Sequence, residues 1–170
     1  MNSGRHRRGP VLHPTNFSAS ARAAERVASA LARRSGRRLL LLHVLAPMPL
    51  FGRGRIKTAE LVRIALGRRR AAEASLTERV SALRGHGLRV AWLVRSGSAH
   101  REIVAAASKV RASLIVIGIG PRRLSHVFLG STAERVIARA LCPVLTVPAR
   151  APRAAGSFRH RHRQTRAAAA

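Results

Sequence analysis

Apolar runs alternate with segments whose apolar positions recur three and four apart, and the alternation repeats along most of the chain. The runs PVLHP (10–14), RRLLLLHVL (37–45), LRVAWLV (88–94), SLIVIGI (113–119) and PVLTVP (143–148) read as five strands. Between the first two, Ala24, Val27 and Leu31 form a helical stripe that Ser18 can cap and that stops near Gly36. A long helix is predicted from about Thr58 to Arg84, with Leu61, Ala65, Ala72, Leu76, Val80 and Leu83 on one side. Gly85, His86 and Gly87 end it. Ile103, Ala107 and Val110 mark a third helix, and STAERVIARAL (131–141) a fourth. Strands that are apolar without inside–outside alternation fit a parallel sheet covered on both faces. Right-handed crossovers then make this a Rossmann-like, doubly wound five-stranded α/β domain.

That pattern occupies residues 10–148. Residues 1–9 read as a basic flexible arm, and 149–170, rich in Pro, Ala, Gly, Arg and His, as a basic disordered tail. The longest greasy stretch, LLLLHVLAPMPLF, holds His43 and two prolines and is too short to span a bilayer. No apolar region near the start is long enough for a secretory signal. With a single cysteine, Cys142, no internal disulfide can form, and a cytoplasmic protein is expected.

Charge changes the picture more than composition does. There are 33 basic residues against 6 acidic ones, a net charge of +27, and all six acids are glutamates. Three arginines lie in residues 1–10 and five in 151–170, so the domain keeps about +19 of that charge. Such a surface attracts polyanions, and the clusters 33–38, 52–55 and 68–70 are its densest parts. No helix-turn-helix, zinc-finger or RNP signature accompanies them, so contact with nucleic acid would be non-specific. Aromatic residues make up only 3%, which leaves few stacking platforms for single strands.

The absence of aspartate removes the acids that metal anchors and catalytic triads usually employ. His13 and His43 end adjacent strands and could approach one another, but no cysteine or carboxylate lies nearby in sequence to complete a ligand set. No catalytic residue and no metal ligand is assigned. Cys142, before Pro143, reads as packing at a strand entrance.

The segment IGIGPRRLSHVFLGST (117–132) leaves the fourth strand, where ligands of doubly wound sheets bind. Gly118, Gly120 and Gly130 would let a ligand approach the backbone. Ser131 and Glu134, three apart at a helix start, have the form of a capping box. Arg122, Arg123 and His126 lie inside the loop and suit phosphates.

Taken together, VLHPTNFS, LLLLHV, LIVIG and GPRRLSHVFLGSTAERVIARALCPVLTVP resemble the universal stress protein family over roughly residues 10–148. The resemblance implies an adenine nucleotide alpha hydrolase-like fold and a stress-response regulatory or binding protein without dedicated catalytic residues. It also implies a homodimer formed through the last strand. Some members of the family bind ATP and some do not. In those that do, glycine, two residues, glycine, nine residues and glycine precede a serine or threonine. Here Gly120, nine residues, Gly130 and Ser131 match, whereas one residue separates Gly118 from Gly120, and Asn16 stands where the family has aspartate. For this chain the resemblance implies ATP or a related adenine nucleotide held by Pro14, Thr15, Asn16 and Val44 near the base and ribose. Ile117, Gly118, Gly120, Gly130, Ser131 and Thr132 would lie toward the phosphates. The alternative is a domain that binds no nucleotide and uses its arginines to hold polyanions such as nucleic acid.

Overall fold

Four leucines in succession, Leu39 to Leu42, are all buried, which explains why the second apolar run shows no alternation. In the computed structural model, which describes residues 9–47, 58–120 and 130–149, they lie on a strand covered from both sides. Leu39 and Leu41 enter one core layer with Ala24, Ala28, Leu76 and Val80, and Leu40 and Leu42 enter the other with Ile103, Ile115, Ile117 and Val136. Alternate residues of a strand point to opposite faces, so a strand buried on both must be apolar throughout.

The strands are β1 (Val11–Pro14), β2 (Leu39–Leu45), β3 (Val90–Ser96), β4 (Leu114–Ile119) and β5 (Val144–Pro148). The helices are α1 (Ala19–Arg34), α2 (Thr58–Gly85), α3 (Ala99–Lys109) and α4 (Ser131–Ile137). Every pairing is parallel and the strand order is β3-β2-β1-β4-β5, the doubly wound sheet expected from the sequence. The chain winds outward from β1 through β2 to β3, then crosses back to place β4 on the other side of β1. The direction of winding therefore reverses between β1 and β4.

Two helices depart from expectation. The predicted apolar side of α2 is buried only from Ala72 onward, whereas Ala65 is exposed and Leu61 half-buried. Length explains it: 28 residues of helix reach about 42 Å, while the seven-residue strands beside it reach about 23 Å. The first half of α2 overhangs the sheet, leaving Val62 and Leu66 about half exposed. The fourth helix ends at Ile137 rather than continuing to Leu141, and the chain turns there before entering β5. Leu141 is left 75% exposed beside the β5 edge.

One polar contact fastens the layer of α1 and α2. Arg79 Nε and Nη2 donate to the two carboxylate oxygens of Glu25, each at 2.6 Å, with the Glu25 side chain only 9% exposed.

Candidate functional site

The β1–α1 turn is held rigidly by its own side chains. Phe17 has a left-handed φ of 60°, unusual for a residue with a side chain. Three contacts hold it there. Its N–H donates to Thr15 Oγ1 at 3.1 Å, its carbonyl accepts from Arg22 Nη1 at 2.7 Å, and its ring stacks on His43 with centroids 4.8 Å apart. Asn16 Oδ1 accepts the Ser18 N–H at 3.2 Å, so the amide nitrogen is the group Asn16 can offer outward. Ser18 Oγ then caps α1 by accepting from Ala21 N at 3.2 Å, as its position in the sequence predicts.

Beside this turn, at the switch between β1 and β4, lies a cavity of about 560 Å³. Its apolar floor is Leu42, Val44, Ile103 and Ile117. Pro14, Thr15 and Asn16 form one wall, while Gly118, Gly120, Gly130, Ser131 and Thr132 form the other. All ten residues that sequence reasoning grouped thus line one space, although they come from five separate stretches of chain. Reasoning from sequence missed Ser18, Ser20, Ala99 and Ile103, which also line it. Ser18 had a sufficient role as a cap, and Ile103 sits on the inward stripe of α3, so neither carried a separate signal. None of the described lining residues is ionisable, so the wall carries no carboxylate to repel an anion.

The three glycines do different things. A Cβ on Gly118 would lie 2.5 Å from the Ser20 carbonyl carbon and 2.8 Å from Ala21 N, and closer still to the Ser20 oxygen. Its missing side chain therefore lets α1 pack on β4, a packing role beside its place in the cavity wall. Gly120 meets nothing within 4 Å. Gly130, at φ +86°, needs the left-handed backbone and is itself the N-cap of α4. The capping box is corrected by the same fact. Because the chain enters the helix through Gly130, Ser131 is already helical and no side chain caps α4. Its hydroxyl is not spent on its own helix.

His13 and His43 serve the fold. His13 and His43 do not bond each other: each donates from Nδ1 to a backbone carbonyl at 2.8 Å, Val116 and Thr15 respectively. His13 is fully buried on the α1 side of the sheet, with Nε2 lacking a partner among the described residues. Burial is the chief cause that holds its pKa below the usual 6.5, with Arg79 lowering it further and the Val116 bond and Glu25 opposing. Because the folded pKa is the lower one, the unfolded chain binds more protons below pH 6.5, and stability falls as pH drops through that region. Urea denaturation from pH 7.5 to 5 should show a loss of up to about 1.4 kcal/mol per pH unit from this group, absent in His13→Gln. A His13→Gln profile as steep as wild type contradicts it.

Cys142 is half-buried against the second core layer, as expected, and burial raises its pKa. Arg122, Arg123 and His126 lie outside the described residues, as does the 52–55 cluster. Among the described residues there is no group of three or more His, Cys, Asp or Glu able to hold a metal, and no helix long and apolar enough to cross a membrane.

Known proteins place the chain clearly. The sequence model of the universal stress protein family matches residues 8–148. A universal stress protein of Thermus aquaticus, from the QAH/OAS sulfhydrylase 3′ region, is 36% identical over 138 residues, covering 81% of this chain and 96% of that one. Among solved structures, the hypothetical protein MJ0577 is 27% identical with a TM-score of 0.62, over 83% of this chain and 96% of its own. The Archaeoglobus fulgidus universal stress protein solved in complex with dAMP is 25% identical with a TM-score of 0.55, over 82% and 97%.

Proposed function

This chain belongs to the universal stress protein family, and from that premise we propose that it is a cytoplasmic regulatory protein that binds ATP or a related adenine nucleotide in the cavity between β1 and β4. The observation that carries the reading is the cavity itself. Its apolar floor of Leu42, Val44, Ile103 and Ile117 suits a flat base, and its far wall of Gly130, Ser131 and Thr132 offers hydroxyls and open backbone to phosphates. A relative that keeps this fold has been solved with dAMP. Asn16 replaces a carboxylate with an amide at the base-and-ribose end, which spares a negative ligand some repulsion.

The role is binding rather than turnover. No described lining residue is an acid that could position a metal or activate water. The shortened spacing of Gly118 and Gly120 does not remove the cavity, because Gly118 packs against α1 and Gly120 still reaches the lining.

The chain pairs with a second copy along β5. That strand is a sheet edge with Leu145 38% exposed, and Ile137 and Leu141 extend the uncovered apolar surface beside it.

Calorimetric titration of ATP into nucleotide-stripped protein tests the nucleotide reading. Binding heat is expected from wild type, with affinity reduced by about tenfold or more in Gly130→Val, where a β-branched side chain is forced into left-handed backbone. No heat at high micromolar protein, or equal affinity in a folded Gly130→Val, overturns it.

A further inference from the structure

Parallel winding delivers the ends of α1, α2 and α3 and every strand start to one end of the domain, opposite the cavity. On three helices that end is basic: Arg33 and Arg34 close α1, Arg84 lies in the last turn of α2, and Lys109 ends α3. The segments leading into the strands add Arg37 and Arg38 before β2, Arg89 before β3 and Arg111 before β4. Hydrogen bonds tie these segments together. Arg33 Nη2 donates to the His86 carbonyl at 3.5 Å, Arg37 Nη1 to Gly9 at 3.1 Å, Arg84 Nη2 to Val90 at 2.9 Å, and Arg89 Nη2 to Gly36.

Cations at helix ends are favoured by the helix dipole, which accounts for the first group. It does not account for Arg38, Arg89 and Arg111, which precede strands. Nor do acids balance the face. On α1, α2 and α3 every glutamate lies seven or more residues before the last helical residue, about 10 Å along the axis. The side chains of Arg34, Arg38, Lys109 and Arg111 are exposed and make no hydrogen bond or ion pair among the described residues.

We propose that this end of the domain is a docking face for the phosphate backbone of a nucleic-acid duplex. From β3 to β4 the strand starts span three strand spacings, about 14 Å, so the cations face an extended array of phosphates rather than one. Neither aromatic among the described residues is placed to stack a base there: Phe17 lies beyond the other end of β1, and Trp92 packs on the core. Of the exposed large apolar residues that would enter a membrane, Val62 and Leu66 lie on the α2 overhang, and Ile137, Leu141 and Leu145 belong to α4 and the β5 edge, one strand beyond the starts of β3 to β4. The face takes in the 33–38 cluster but not Arg68–Arg70. Those lie 15 residues or more before the end of α2, about 22 Å away, so the two clusters do not form one surface.

The test is fluorescence anisotropy of a random-sequence 30-base-pair DNA duplex, about 100 Å long, across a salt series. It compares the full chain, a face variant (Arg34→Gln, Arg38→Gln, Lys109→Gln, Arg111→Asn) and a control that removes equal charge elsewhere (Arg63→Gln, Arg68→Gln, Arg70→Gln, Arg101→Gln). Asparagine is chosen at position 111 because that residue has a left-handed φ of 50°. The face variant should bind about tenfold or more weakly near 0.1 M salt, with a log–log salt slope smaller by about three to four, while the control stays within about threefold. Circular dichroism confirms folding of both. Gly130→Val should bind the duplex like wild type, so failure of the nucleotide reading leaves this one standing. Equal losses in the face and control variants, affinity flat with salt, or binding to phosphatidylserine vesicles but not to duplex overturns it.

Discussion

Gly118→Ala is expected to cost about 3 kcal/mol, with a urea midpoint well below that of wild type. Strand β4 alternates its faces, and at position 118 the side-chain direction points into the first turn of α1, where the Ser20 carbonyl and Ala21 nitrogen already stand. Backbone atoms cannot turn aside as a flexible side chain can. A methyl group there must push α1 off the sheet or twist β4, and either change opens the core around Val11, Ala24 and Val116. Gly120→Ala is the matched control. It meets nothing within 4 Å and has no left-handed φ, so it should change stability by less than about 0.5 kcal/mol. The pair also separates two reasons for a glycine beside a ligand. Nucleotide affinity lost in Gly120→Ala without loss of stability would assign that position to the ligand, whereas loss in Gly118→Ala follows from the fold. A Gly118→Ala protein as stable as wild type would refute the packing argument.

How legible the molecule was follows from which forces are local. The sheet could be read because burial on both faces writes itself as continuous apolar runs, Leu39 to Leu42 most plainly. The cavity residues could be grouped because the resemblance to the universal stress protein family matched its motifs position by position, and the winding of the sheet brings those strand ends together. What escaped depended on lengths and partners. The periodic stripe of α2 continues through Leu61 and Ala65 beyond the point where the sheet stops, and periodicity holds no record of where a neighbour ends. Ser131 and Glu134 have capping-box spacing, but one left-handed glycine shifts the helix start by a residue and dissolves the box. The basic face was scattered among several short arginine runs, and only the topology collects it at one end.

The Glu25–Arg79 pair, 54 positions apart, left no trace in sequence, and it carries the second large prediction. Arg79→Leu should destabilise the protein by about 3 kcal/mol, because Glu25, 9% exposed, keeps a charge with no partner and little water. Glu25→Leu should cost less, about 1–2 kcal/mol, since the Arg79 side chain is 31% exposed and can carry its guanidinium into solvent. The double variant Glu25→Leu/Arg79→Leu should be at least as stable as Arg79→Leu alone, as the buried charge has gone with its partner. Urea denaturation of the four proteins measures this directly, and strictly additive losses would show that the two side chains act independently. The pH profile gives a second reading of the same contact. Arg79 lowers the pKa of His13 and Glu25 raises it. Without the arginine, the His13 pKa moves back toward 6.5, the gap between folded and unfolded values narrows, and the stability lost below pH 6.5 becomes smaller than in wild type.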